Sequence, residues 1–449
     1  MSKMFKIRKG LDIRIKGKAD EKLLGEISTY NFAVRPHDFQ GINPKLKVKV
    51  GQNIKQGEII FFDKYRELVK IPSPVSGFVK DIVRGEKRKI LEIIIEKDEN
   101  NPLKHEVNNL DFSDKEQITN FLSDTGLISL FIQRPYGIVA NPEDRPRDIF
   151  INFFDSAPLA PNYDFILKDK KNEIQKALEF LSFLTEGKIY CSLKPNSILK
   201  DFIPNNEKIE INYFAGPHPS GLVGTHINKI KPINKGEIVW TLNAYDLPII
   251  GNLLINGVLE LERIIALTGS SLENTGYYKI TACSNLESNN LKLKNNEKVR
   301  IISGNVLNGI NISESPYFGF YENMISIIPE GDKYEFLGWA LPGLKKFSNS
   351  GAFLSGLLKF GKYNLNTNIN GGQRAYVVTG EYEKVCPLNI YPQLLLKAII
   401  TNDIDKMEQL GIYEVIEEDF ALCEFVCSSK IDVQELIRQG LDEMRKEMA

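Results

Sequence analysis

The chain has 449 residues, 42% of them hydrophobic and 26% charged, with a formal net charge of −1. That length gives about three domains of ~150 residues each. Charges of both signs are interspersed without a basic face, which argues against a nucleic-acid binder. No run of ~18 apolar residues exists to span a membrane. The basic N-terminus lacks the apolar core of a secretory signal. Five cysteines without framework spacing point to a reducing, cytosolic compartment.

Residues 1–104 read as short strands separated by turns. Val48 to Gly57 and Pro74 to Ile82 each pair a β-run with a glycine turn, as in a small two-sheet sandwich. The pattern resembles the lipoyl- and biotin-carrier hammerhead, with Asp63-Lys64 where carriers keep their modified lysine. From Lys64 to Pro72 the chain is two residues longer than carriers usually are. A swinging-arm lysine needs a tight hairpin, so an unmodified barrel-sandwich is expected. Residues 105–255 alternate strands and helices. Gly126 to Ile132 and Ile149 to Phe154 read as buried strands. Asn172 is placed to cap a helix whose stripe is Ile174, Ala177, Leu178, Leu181 and Leu184, stopped by Gly187. Lys188 to Leu193 follows as a strand, so the unit is a Rossmann-like α/β domain. Its strand-to-helix connection, Asp155 to Pro161, contains no glycine. Phosphates need close backbone N–H groups, so the nucleotide fingerprint is missing.

Residues 256–335 read as a β-grasp (SLBB-like) module. The box Ser284-Asn285-Leu286-Glu287 predicts a short helix between strands Tyr277–Thr281 and Lys298–Ser303. Residues 336–380 form a loop-rich connector. Residues 381–449 read as a helical domain: Pro392 opens one helix, and Asp432 caps another whose stripe is Val433, Leu436, Ile437, Leu441 and Met444. The fold class is multidomain α/β and α+β.

The densest motif is Gly216-Pro217-His218-Pro219-Ser220-Gly221-Leu222-Val223-Gly224-Thr225-His226, which holds two of the four histidines. It reads either as a site or interface loop or as a structural turn locking domains together. His218 and His226 have no acidic cluster nearby, so no metal site is expected. Cys423 and Cys427 share a face with Phe420 in a helical segment, but the set is short of a cluster's ligands, and buried packing is the better reading. Two Arg-Pro loops stand out. Arg35–Gly41 carries His37 and Phe39, and Arg134–Pro142 carries Tyr136. An aromatic ring can stack on a quinone, and His37 or Arg134 can hydrogen-bond its carbonyl. The alternative is that both loops rim an interface. No catalytic residue is expected in the isolated chain.

Taken in order, Ile7-Arg8-Lys9-Gly10-Leu11-Asp12, Arg84 to Arg88, Arg134-Pro135, Asp155 to Ala160, Leu184 to Lys188, the Gly216–His226 block, Arg300 to Gly304, Phe336 to Gly343 and Glu417 to Cys427 resemble the NqrA family of the Na⁺-translocating NADH:quinone oxidoreductases (Na⁺-NQR). The resemblance runs end to end. It implies a peripheral subunit on the cytoplasmic face of the bacterial inner membrane, associated with the bilayer through its partners. The complex oxidises NADH, reduces ubiquinone or menaquinone and exports Na⁺. The resemblance further implies docking on the membrane-embedded NqrB subunit, a contribution to the quinone pocket, and no tightly bound cofactor in this chain. Flavins, Fe–S and NADH then reside on partner subunits. Ser428 stands where the family often has proline and Cys386 where methionine is common. The RnfC-type electron-transport proteins are similar in their sandwich and Rossmann-like parts, but their paired cysteine motifs are absent here. A carrier protein centred on Lys64 and a cofactor-free scaffold without a ligand site are the remaining readings.

Overall fold

The computed structural model describes residues 2–98, 101–107, 110–287, 291–294, 297–331, 335–338, 340–358 and 361–448. Asn31–Val34, Ile90–Lys97, Gly77–Arg84 and Asn53–Ile54 make a four-stranded sheet, and Pro44–Leu46, Ile59–Asp63 and Lys70–Pro72 make a three-stranded one. Alternation on Gly77–Arg84 and Ile90–Lys97 turns Val79, Ile93 and Ile95 inward. Residues 64–69 separate two strands of the smaller sheet, and Lys64 is exposed in that connection. The turn is tied by Asp63, which accepts from Asn43 N, Tyr65 N and Arg66 Nε.

The Rossmann-like sheet has seven strands. Lys3–Lys6, Ile209–Ala215, Ile189–Leu193, Ile149–Asn152 and Val239–Asn243 are parallel neighbours in that order, and Ile132–Arg134 and Ile138–Val139 add an antiparallel edge. The helix Lys171–Leu184 buries Ile174, Ala177, Leu178, Leu181 and Leu184, as its 3.6-residue period demands. Its cap differs from expectation. Lys170 is the N-cap residue and Asn172 lies within the first turn. The expected strand at Gly126–Ile132 is also corrected: Leu127–Leu130 form a 3₁₀ turn, and only Ile132–Arg134 pairs. The φ of +70° at Gly126, backed by the Pro72 ring, sends the chain into that turn.

A six-stranded sheet runs in the order Ile310–Asn311, Val299–Ser303, Met324–Pro329, Glu262–Thr268, Gly276–Thr281, Leu23–Ile27. The N-terminal segment therefore supplies one strand to this sheet and another, Lys3–Lys6, to the Rossmann-like sheet. The helix expected from Ser284 is replaced by turns and isolated bridges through Glu287. Asn285 N donates to Asn31 O, Leu286 N donates to Pro316 O, and Ser284 O accepts from Phe318 N. Pairing with distant strands takes the backbone groups a helix would need. Residues 288–290 lie outside the described residues.

Pro392–Ile400 and Val433–Glu447 are the main C-terminal helices. Asp432 precedes the latter without a side-chain cap bond, and Glu424 accepts from Gln434 N at 2.9 Å instead. Among the described residues the connector carries a short helix, Leu354–Leu358. A continuous apolar core links the sandwich, the Rossmann-like sheet and the C-terminal helices, and a second cluster fills the six-stranded sheet. Among the described residues no helix is long and apolar enough to cross a membrane.

Candidate functional site

The parallel strands end at Asn152, Leu193 and Asn243, the edge where open α/β sheets usually hold ligands. Here that edge is filled by the chain itself. Gly216 has φ +142°, and a Cβ there would lie 2.2 Å from Ile7 O. His218 is 3% exposed. Its main-chain N donates to Asp12 Oδ1 at 2.9 Å, and its carbonyl accepts from Leu11 N at 2.8 Å. Ser156 Oγ lies 3.0 Å from His218 Nδ1 and accepts from Gly221 N at 2.8 Å. Gly221 sits so close to Ser156 that a Cβ would meet its nitrogen at 2.6 Å. Three separate motifs, at residues 7–12, 155–160 and 216–226, thus pack into one knot.

His226 lies on the helix Val223–Ile230, fully buried against Phe214 and Phe154, with Nε2 2.9 Å from Ser220 O. Burial pushes the imidazole pKa down to about 4 for His218 and to about 3 for His226. Both are neutral at pH 7. Among the described residues no group of three His, Cys, Asp or Glu is arranged to hold a metal. Cys386, Cys423 and Cys427 are buried and free.

The same helix reaches a buried ion cluster. A Cβ at Gly224 would stand 2.1 Å from Asp419 Oδ1. Arg134, 1% exposed, donates from Nη1 to Asp419 Oδ2 at 2.7 Å and from Nη2 to Glu418 Oε1 at 2.8 Å. Asp419 Oδ2 also accepts from Ile416 N. Burial pushes Glu418 up to about 7, against the pull of Arg134. The Arg-Pro motif, the third glycine of the dense block and the C-terminal acidic motif therefore meet at one point, joining the Rossmann-like sheet to the helical domain.

The two Arg-Pro loops are neighbours. Val139 N donates to Gln40 O at 3.1 Å. Arg66 clamps both, donating to Val139 O at 2.8 Å and Gly41 O at 3.0 Å. Their side chains divide into two kinds. Phe39 is a core residue packed on Phe61, Phe320 and Tyr321, and Arg134 is consumed by its carboxylates. The His37 side chain is 44% exposed beside Asp38, and burial lowers its pKa. Tyr136, at φ +81°, is half-buried edge-on to Tyr413. Two cavities of ≈ 220 and ≈ 250 Å³ lie elsewhere and take no residue from either loop.

Sequence reading missed a second polar junction. Arg35 and Asp38 of the sandwich, Tyr163 and Asp246 of the Rossmann-like unit, and Arg263 and Glu322 of the six-stranded unit converge there. Arg263 Nη2 meets Asp246 Oδ1 at 2.7 Å, Asp38 Oδ2 accepts from Phe320 N, and Tyr163 Oη accepts from Asn323 Nδ2. Glu322 makes no hydrogen bond among the described residues, and burial, reinforced by Asp38, pushes it up to about 8. Arg35 and Asp38 lie in the first Arg-Pro loop, but Tyr163, Asp246, Arg263 and Glu322 are scattered through the sequence in no motif, so only long-range contact reveals the junction.

Family models match residues 5–98 (NqrA N-terminal barrel-sandwich hybrid domain), 113–259 (NqrA second alpha/beta domain) and 264–314 (NQRA C-terminal domain). Curated relatives share the whole length. The NqrA subunit of the Na(+)-translocating NADH-quinone reductase of Vibrio anguillarum is 34% identical over 99% of this chain and 100% of its own. That of Rhodopirellula baltica is 35% identical over 98% of each chain, and that of Neisseria meningitidis serogroup B is 36% identical over 99% and 100%. A match of that extent shows that the chain belongs to the NqrA family of Na(+)-translocating NADH-quinone reductase subunits.

Proposed function

We propose that this chain is the peripheral, cytoplasmic-face subunit of a membrane complex that couples NADH oxidation and quinone reduction to Na⁺ export. In this reading it docks on the membrane-embedded NqrB subunit and contributes one wall of the quinone pocket. It binds no redox cofactor of its own, and flavins, Fe–S and NADH belong to its partners. The observation that carries the pocket reading is the meeting of the two Arg-Pro loops under the Arg66 clamp. His37 and Tyr136 are the groups of that pair left open to a ligand, one able to hydrogen-bond a quinone carbonyl and the other to stack on its ring. Phe39 and Arg134 support the loops from inside.

The test is His37→Ala with Tyr136→Ala in the assembled complex. A raised quinone KM or weakened inhibitor binding, with NADH oxidation by artificial acceptors unchanged, supports the pocket role. Unchanged quinone kinetics leave the scaffold role, which the internal use of Phe39 and Arg134 favours.

A further inference from the structure

From Phe336 to Gly380 the chain contains no Asp or Glu, yet it holds Lys345, Lys346, Lys359, Lys362 and Arg374. In a chain of net charge −1 this one-signed block is exceptional. The same stretch exposes large apolar side chains. Phe336 is 91% exposed, and Leu337, Leu341, Leu344 and Leu354 are each about half exposed.

The block is anchored. Tyr363 N donates to Arg14 O and its carbonyl accepts from Lys16 N. Phe347 packs on Tyr363 and on Phe425 of the helical domain, with ring centroids 5.5 and 5.7 Å away. Leu354 N donates to Pro342 O. The apolar residues are thus presented by a segment fixed to the body at its middle. Lys346 is neutralised by Glu335. Lys345, Lys362 and Arg374 are exposed and have no carboxylate at ion-pair distance among the described residues.

Protein surfaces that meet other proteins usually carry both signs, with charge depleted at the centre. Glu335, Glu330 and Glu381 contact the segment from outside it, yet exposed Phe and Leu with an excess of cations match a different surface, where phosphates take Lys and Arg and the acyl boundary takes apolar side chains. We propose that the described part of this segment, residues 336–338, 340–358 and 361–380, rests directly on anionic lipid headgroups, a bilayer contact made by this chain itself beside docking through a membrane subunit. The proposal does not depend on the quinone reading.

The test begins with co-sedimentation of the purified full chain with vesicles of phosphatidylcholine, alone or with about a third phosphatidylglycerol. Binding should require the anionic lipid and weaken between about 0.1 and 0.5 M NaCl. Lys345→Gln, Lys362→Gln and Arg374→Gln together should lower partitioning on the order of a hundredfold, at about fivefold per cation. Phe336→Ser with Leu341→Ser should lower it independently, and thermal melts should match the parent. In the assembled complex, a fluorophore on Ser350→Cys should be quenched by doxyl-labelled lipids. The proposal falls if the parent chain binds anionic vesicles no better than neutral ones, if the triple variant binds like the parent, or if the fluorophore is not quenched. Loss of complex assembly in the triple variant, with no lipid binding by the parent, would make the patch a protein interface and also overturn it.

Discussion

The blocks 216–226 and 336–380 look alike as strings: both are rich in glycine and poor in regular periodicity. The structure separates them completely. In the first, His218, Ser220 and His226 are buried and hydrogen-bonded, and the glycines are places where another backbone or carboxylate comes too close for a Cβ. In the second, several glycines have open space around them, as at Gly351, Gly361 and Gly372, and large apolar side chains point away from the body. Glycine in a loop therefore marks either close approach or the lack of any neighbour. What distinguishes the two is the company: prolines, histidines and small hydroxyls in the knot, and lysines without acids in the exposed block.

The largest effect should come from cutting the ion cluster that locks the knot to the helical domain. Arg134→Ala leaves the buried Asp419 and the part-exposed Glu418 facing each other without a cation. Removing one member of such a group costs about 3–5 kcal/mol, because the remaining charges stay desolvated. Denaturant titration of the full chain reads this directly. A loss below about 1 kcal/mol would mean that solvent reaches the carboxylates and that the knot is less closed than its packing implies.

How much of this was legible in the sequence follows range rather than importance. The stripe from Ile174 to Leu184 is local, and the helix follows it. The Gly216–His226 block advertised itself by composition, and the loop at Asp155–Pro161 by its missing glycines. The partners did not. Nothing near Arg134 points to Asp419, and nothing in Lys3–Lys6 announces pairing with Asn212–Ala215. Ser284–Glu287 satisfies the local rule for a helix start, yet its backbone is taken by Asn31 and Pro316. The junction of Asp38, Asp246, Arg263 and Glu322 likewise exists only after three units have packed together.

An intermediate effect is expected from pH. In the unfolded chain an imidazole titrates near 6.5, while His218 and His226 in the knot are held to about 4 and about 3. Below 6.5 the unfolded chain takes up protons that the native chain refuses. Their contribution is therefore complete above 6.5 and is lost as pH falls toward the folded values, by about 1.4 kcal/mol per pH unit for each group. Glu322 and Glu418 act in the opposite sense. Raised to about 8 and about 7, they hold protons that an unfolded carboxyl releases near 4.5, so stability declines as pH rises between those limits. Melting curves of the parent and His218→Asn between about pH 4.5 and 8.5 separate the two. The variant should lose part of the acid limb and keep the alkaline one. An identical acid limb would show that His218 is already open to protons in the native state.

The smallest effect belongs to the exposed block, and its smallness is informative. Phe336 is 91% exposed, so Phe336→Ser removes almost no buried area and leaves no cavity. Substitutions of that kind change stability by no more than about 0.5 kcal/mol. A shift of about 2 kcal/mol or more, of the size expected for a buried aromatic, would mean that Phe336 folds back on the body in solution, and the contrast with the knot would collapse. A neutral result keeps it. A Phe so exposed then contributes nothing to the chain's own folding, and any constraint on it must come from a surface outside the chain.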